Sequence, residues 1–143
     1  MRSDGVTEKK VVLAFQRAKR WLQGSERAFE DGRLDDVVYS AQMAVEQAVK
    51  ALLMKEGLIF RRVHDVADEL HGLRSKMSLR GDVSADIDRI LDTLVFLGDQ
   101  RSLAGYGFES EVDVNFFIEI APEAFQRAKN ALDLLSAFIA EEK

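Results

Sequence analysis

Residues 41–53 read AQMAVEQAVKALL and are followed by MKEGL at 54–58. Around this stretch, Val37, Ala41, Ala44, Val45, Ala48 and Leu52 recur every three or four positions, which predicts a helix over about 34–56 with one apolar face. Its alanines are small enough to let a neighbouring helix come close. Gly57 is its stop signal. Gln42, Glu46 and Lys50 recur every four residues and form a polar stripe beside the apolar one. Glu46 before Lys50 is the favourable order for an ion pair along a helix, contributing about 0.3 kcal/mol when exposed. The stripe is either a solvated, salt-bridged edge or, because it borders the alanines, partly enclosed.

The same periodicity extends outward in both directions. Val11, Phe15, Ala18, Leu22, Ser25 and Phe29 line one face of a helix near 7–31, ended by Gly32. A short helix near 65–77 carries Val66, Leu70, Leu73 and Met77. Ser84 is a candidate N-cap for the next helix, with Asp86 and Asp88 near its positive end. Its inward stripe is Ile87, Ile90, Leu91, Leu94 and Gly98. Pro122 suits the first turn of a last helix bearing Phe125, Ala128, Leu132, Leu135 and Ile139. The apolar run VDVNFFIEI at 112–120 is a packed loop, an extra turn or part of a kinked helix. No alternating strand pattern and no internal repeat interrupts this reading. The expected fold is all-α, an antiparallel bundle of four main helices plus one short helix in a single domain spanning 1–143.

Composition excludes several functions. With no cysteine, thiolate chemistry, disulfides and cysteine metal sites are absent. His64 and His71 are the two histidines, without a matched carboxylate spacing or an HExxH, so no metal and no cofactor is expected. There is neither a P-loop nor a GxGxxG. No secretory leader is visible, and no apolar run nears the roughly 20 residues needed to cross a bilayer. A cytoplasmic protein away from the membrane is expected. The net charge of −5 argues against a general nucleic-acid coat, but it is unevenly spread. Residues 1–62 hold 12 Lys/Arg and 9 Asp/Glu, and residues 63–143 hold 8 and 16, so the halves carry +3 and −8. Lys9, Lys10, Arg17, Lys19, Arg20 and Arg27 supply a modest basic face.

Residues 98–109 read GDQRSLAGYGFE. Positions 87, 90, 94, 98 and 101 share one helical face, so Arg101 continues an inward stripe. A guanidinium keeps its charge inside a protein and there needs a carboxylate, a phosphate or water. Arg101 is therefore either a helix cap donating to the last carbonyls, with Gly105 and Gly107 as turn residues, or a contact for an anion.

Gln42, Ala44, Glu46, Ala48, Lys50, Ala51, Leu52 and Leu53, with Gly57 after them, resemble the second-helix signature of HEPN domains. His64-Asp65 is similar to the step that often follows, Arg101 occupies the place of the motif arginine, and Tyr106-Gly107 resembles the family's aromatic turn. The resemblance covers about residues 8–140. It implies a helical bundle that commonly forms a homodimer and often accompanies a minimal nucleotidyltransferase in toxin–antitoxin-like gene pairs. Active toxin members are metal-independent endoribonucleases that pair the arginine with a histidine four to six residues later. The histidine moves a proton near neutral pH, and the arginine holds the phosphate.

Here the chain departs from the pattern. Ser102, Leu103, Ala104, Gly105, Tyr106, Gly107 and Phe108 follow Arg101, and none is histidine. A phenol, with an ordinary pKa of about 10, is a poor base at neutral pH, though it can orient a ligand or stack on a base. Three readings follow. The favoured one is a binding module without nuclease activity that contacts a nucleotide, an RNA or a nucleotidyltransferase through Arg101, Ser102 and Tyr106, with Glu46 and Lys50 nearby. The second is a ribonuclease with a modified Arg101/Tyr106 site, or with His64 reaching the cleft. The third is a helical adaptor. Trp21, Phe116 and Phe117 exceed what a small bundle buries easily, which fits a homodimer.

Overall fold

The computed structural model describes residues 5–58, 66–77, 83–106, 109 and 111–140. Five helices follow one another: α1 (Gly5–Glu30), α2 (Leu34–Lys55), α3 (Ala67–Met77), α4 (Val83–Tyr106) and α5 (Ile120–Ala140). A 3₁₀ turn, Val114–Phe117, lies between α4 and α5, and there is no strand among the described residues.

Helix α2 is the axis of the bundle and touches every other helix. Its apolar stripe explains this: Ala41, Ala44, Val45, Ala48, Val49, Ala51, Leu52 and Leu53 are all fully buried. Each completely buried leucine contributes about 2 kcal/mol of apolar transfer. The predicted glycine stops end both of the first two helices. Gly32 and Gly57 have φ of 75° and 76°, the left-handed region. The amides of Arg33 and Leu58 then reach back five residues to the carbonyls of Ala28 and Leu53, at 2.8 and 2.9 Å.

The short 31–33 link folds α1 back along α2, so the two run antiparallel. Ala28, Val37 and Ala121 cluster near the ends that meet at this link. At the far end of α2, Lys55 Nζ donates to the Phe138 carbonyl at 2.7 Å. Helix α5 therefore runs parallel to α2. Arg101, late in α4, meets Tyr39, early in α2, so α4 runs opposite to both. Ser25, the polar member of the α1 stripe, is buried because its hydroxyl donates to the Val37 carbonyl at 2.8 Å.

Several local expectations change. Phe29 is exposed at the last turn of α1 rather than turned inward, because the chain leaves the helix there before α2 can cover it. Helix α4 starts at Val83, which puts Ser84 inside the first turn instead of at the N-cap. The same helix continues through Tyr106, so Gly105 is helical rather than a turn residue, and Gly107 lies outside the described residues. Of the open choices for 112–120, the chain takes an extra turn. Asp113 accepts the Asn115 amide at 2.9 Å to start it, Phe117 is buried, and Phe116 stays exposed with its ring 5.2 Å from that of Phe117. No helix among the described residues is long and apolar enough to cross a membrane.

Candidate functional site

Arg101 stands more than a turn before the end of α4, and no basic residue occupies that helix's last turn. The last carbonyls are out of its reach, and a cap role falls away. Its side chain instead crosses to the start of α2. The guanidinium carbon lies 5.0 Å from the centroid of the Tyr39 ring, and Nη2 donates to the Tyr39 hydroxyl at 3.5 Å. A cation over an aromatic face is attracted by the ring quadrupole, by about 0.5–1 kcal/mol where water has access. The ring thus aims the guanidinium without neutralising it.

Arg101 also lines an open cleft of about 390 Å³ with Gln42, Ala67, Leu94, Val95, Gly98 and Asp99. Two polar atoms here lack partners: Arg101 Nε, a donor, and Gln42 Oε1, an acceptor, are both buried without a hydrogen bond. Gln42 is only 3% exposed. Leaving such groups without a partner costs about 1–3 kcal/mol each. Asp99 is exposed on the same rim and makes no ion pair with Arg101.

The contrast with other arginines is informative. Arg127 lies 4.3 Å over the Phe96 ring, yet it also reaches the Glu123 carboxylate at 2.7 Å. Arg74 holds Asp88 through two nitrogens at 2.8 and 3.2 Å. Arg101 has an aromatic neighbour but no carboxylate among the described residues.

The expected site residues separate into groups. Glu46 and Lys50 are ion-paired at 3.0 Å, with side chains 2% and 16% exposed, so the stripe is enclosed at this point. Neither lines the Arg101 cleft. Ser102 follows Arg101 on α4 and is exposed, away from the cleft lining. Tyr106 closes α4, and its side chain lies outside the described residues, as does all of His64. His71 is exposed on α3. No cluster of three potential metal ligands occurs among the described residues. Two contributors were not singled out from sequence: Tyr39, and Gln42 as a lining residue. Their spacing of three along α2, one turn on a common face, was the available signal.

The comparisons with known proteins bear on the family. The chain matches the HEPN domain over residues 11–140 and belongs to that family. It is 24% identical over 147 residues to the protein named Putative toxin MJ1304 of Methanocaldococcus jannaschii, covering 99% of this chain and 96% of that one. No solved structure matches at a comparable level.

Proposed function

We propose that this chain is a toxin-like HEPN module that binds a phosphate-bearing ligand, a nucleotide or an RNA, at Arg101 and does not cleave it. The carrying observation is the state of Arg101: a guanidinium aimed by Tyr39 onto a cleft, with no carboxylate paired to it among the described residues. A phosphate oxygen supplies both the charge and the acceptor that such a group lacks. The toxin-like part rests on the similarity over nearly the whole of the M. jannaschii protein. The missing histidine after Arg101 favours binding over cutting, because no side chain at 102–108 takes a proton readily at neutral pH.

The test incubates purified protein with a mixed RNA pool, without metal, beside Arg101→Ala. We expect the native protein to retain RNA uncut and the variant to release it. Cleavage that disappears in the variant would make the chain a ribonuclease instead. Equal retention by both would remove Arg101 from the site.

We further infer a cytoplasmic homodimer that acts with a minimal nucleotidyltransferase. Exposed Val12 and Leu13, at 55 and 49%, are apolar surface that a second copy would cover. Sedimentation at micromolar concentration checks the dimer, and co-purification with the neighbouring gene product checks the partner.

A further inference from the structure

The described arginines fall into two sets. Arg27, Arg33, Arg74, Arg89 and Arg127 each pair with a carboxylate. Arg17, Arg20 and Arg101 have no such partner among the described residues, and these three lie along one connected strip of surface. Arg101 packs on Tyr39. The Tyr39 ring stands 6.5 Å from that of Trp21, tilted at 58°. Trp21 then lines a second open groove, about 310 Å³, with Arg17, Arg20, Gly24 and Ser40. Arg17 and Arg20 are exposed, and Trp21 and Tyr39 are half-buried. Gly24 leaves the floor of the groove open, because it has no side chain and a Cβ there would meet only Ser40 Oγ, at 4.0 Å.

We propose that this strip is the track of a single-stranded nucleic acid, running from the Arg101 cleft across Tyr39 and Trp21 into the Arg17/Arg20 groove. The inference rests on the phosphate-binding reading of Arg101 and extends it from one phosphate to a strand. Unpaired guanidinium groups at both ends with aromatic rings between them are what a strand requires. Arginines track the backbone, and ring faces accept bases without regard to sequence. The helix that carries the Arg17/Arg20 groove is also basic in a chain of net charge −5. Helix α1 carries Lys9, Lys10, Arg17, Lys19, Arg20 and Arg27 against Glu8, Glu26 and Glu30. A duplex fits less well, because its bases are stacked on each other and unavailable to Trp21. An acidic protein segment would satisfy the arginines but not the rings.

Trp21 is the chain's one tryptophan, so its fluorescence reports on the strip alone. The experiment titrates the native protein with oligouridine and oligothymidine of about 12 nucleotides, a length typical of single-strand sites, and with uridine monophosphate. We expect at least one oligomer to quench Trp21 and to bind at least tenfold more tightly than the mononucleotide. Arg17→Ala/Arg20→Ala, both at exposed positions, should weaken the oligomer tenfold or more and leave the mononucleotide unchanged. Its plot of log affinity against log salt should be shallower by about 1.4, two phosphate contacts at about 0.7 each. Arg101→Ala should weaken both ligands. If the oligomers bind through Arg101 but leave Trp21 unquenched, or if the double variant binds them normally, the track is wrong and the Arg101 reading stands. If neither oligomer nor mononucleotide binds, both readings fail.

Discussion

Arg101 and Tyr39, 62 residues apart in the chain, are joined by a guanidinium–ring contact of 5.0 Å and a hydrogen bond of 3.5 Å. The contact bridges the late part of α4 to the early part of α2, where Trp21 of α1 stands beside the same ring. The candidate site is thus assembled from helices that meet at one end of the bundle.

Arg101→Lys should bind nucleic acid more weakly than the native protein but more tightly than Arg101→Ala. An ammonium keeps the charge yet loses the planar fork and the ring stacking. We expect roughly 1.5–3 kcal/mol of lost affinity for alanine, the range for a hydrogen bond to a charged group, and a smaller loss for lysine. Fluorescence anisotropy with labelled RNA measures both. Equal affinities for lysine and arginine would show that charge alone matters.

Tyr39→Phe should be nearly silent, because the ring face is retained and the hydroxyl contact is long. Tyr39→Leu should lower affinity while leaving the thermal midpoint within a few degrees, since it releases Arg101 without stranding a buried charge. A phenylalanine variant as weak as the leucine variant would mean that the hydroxyl, not the ring, positions the guanidinium.

Lys50→Met should destabilise the fold by about 3 kcal/mol, at the lower end for breaking a buried ion pair. It keeps the aliphatic stem but removes this cation from a Glu46 carboxylate that is 2% exposed. Urea denaturation with an unchanged slope is the measurement. A loss below about 0.5 kcal/mol would match an exposed pair and contradict the observed enclosure.

Gly32→Ala should cost about 1 kcal/mol without any steric clash. The position has φ of 75°, and a Cβ there meets nothing within 4 Å, so the cost is the left-handed backbone alone. Gly32→Asn should cost less, because asparagine tolerates that region. An alanine variant as stable as the native protein would show that the link between α1 and α2 adapts.

Much of the fold was legible in the sequence, and particular residues show why. Gly32 and Gly57 ended the helices they were expected to end, since a helix stop depends on a few consecutive residues. Phe29 and Ser84 depart from the periodic pattern because both stand at helix ends, where periodicity does not say whether a neighbour covers the residue or where the first turn begins. The site was only half visible. Arg101 stood out as a charge on an apolar stripe, whereas Tyr39 did not, because nothing local connects it to α4.

Sequence alone determined the helices, their inward faces and the absence of thiol chemistry, because backbone hydrogen bonding and the 3.6-residue repeat are local properties of the chain. Tertiary structure decided which charges are satisfied. Glu46 and Lys50, four residues apart, look the same in sequence whether exposed or enclosed, and the packing around α2 encloses them. Arg127 and Arg101 both follow apolar helical patterns, yet among the described residues only Arg127 pairs with a carboxylate, one turn away on its own helix. Arg101 depends on what another helix brings to it, and α2 brings an aromatic ring. A guanidinium left without a counter-charge is a property of the packed bundle, because pairing is a matter of distance in space and not of position along the chain.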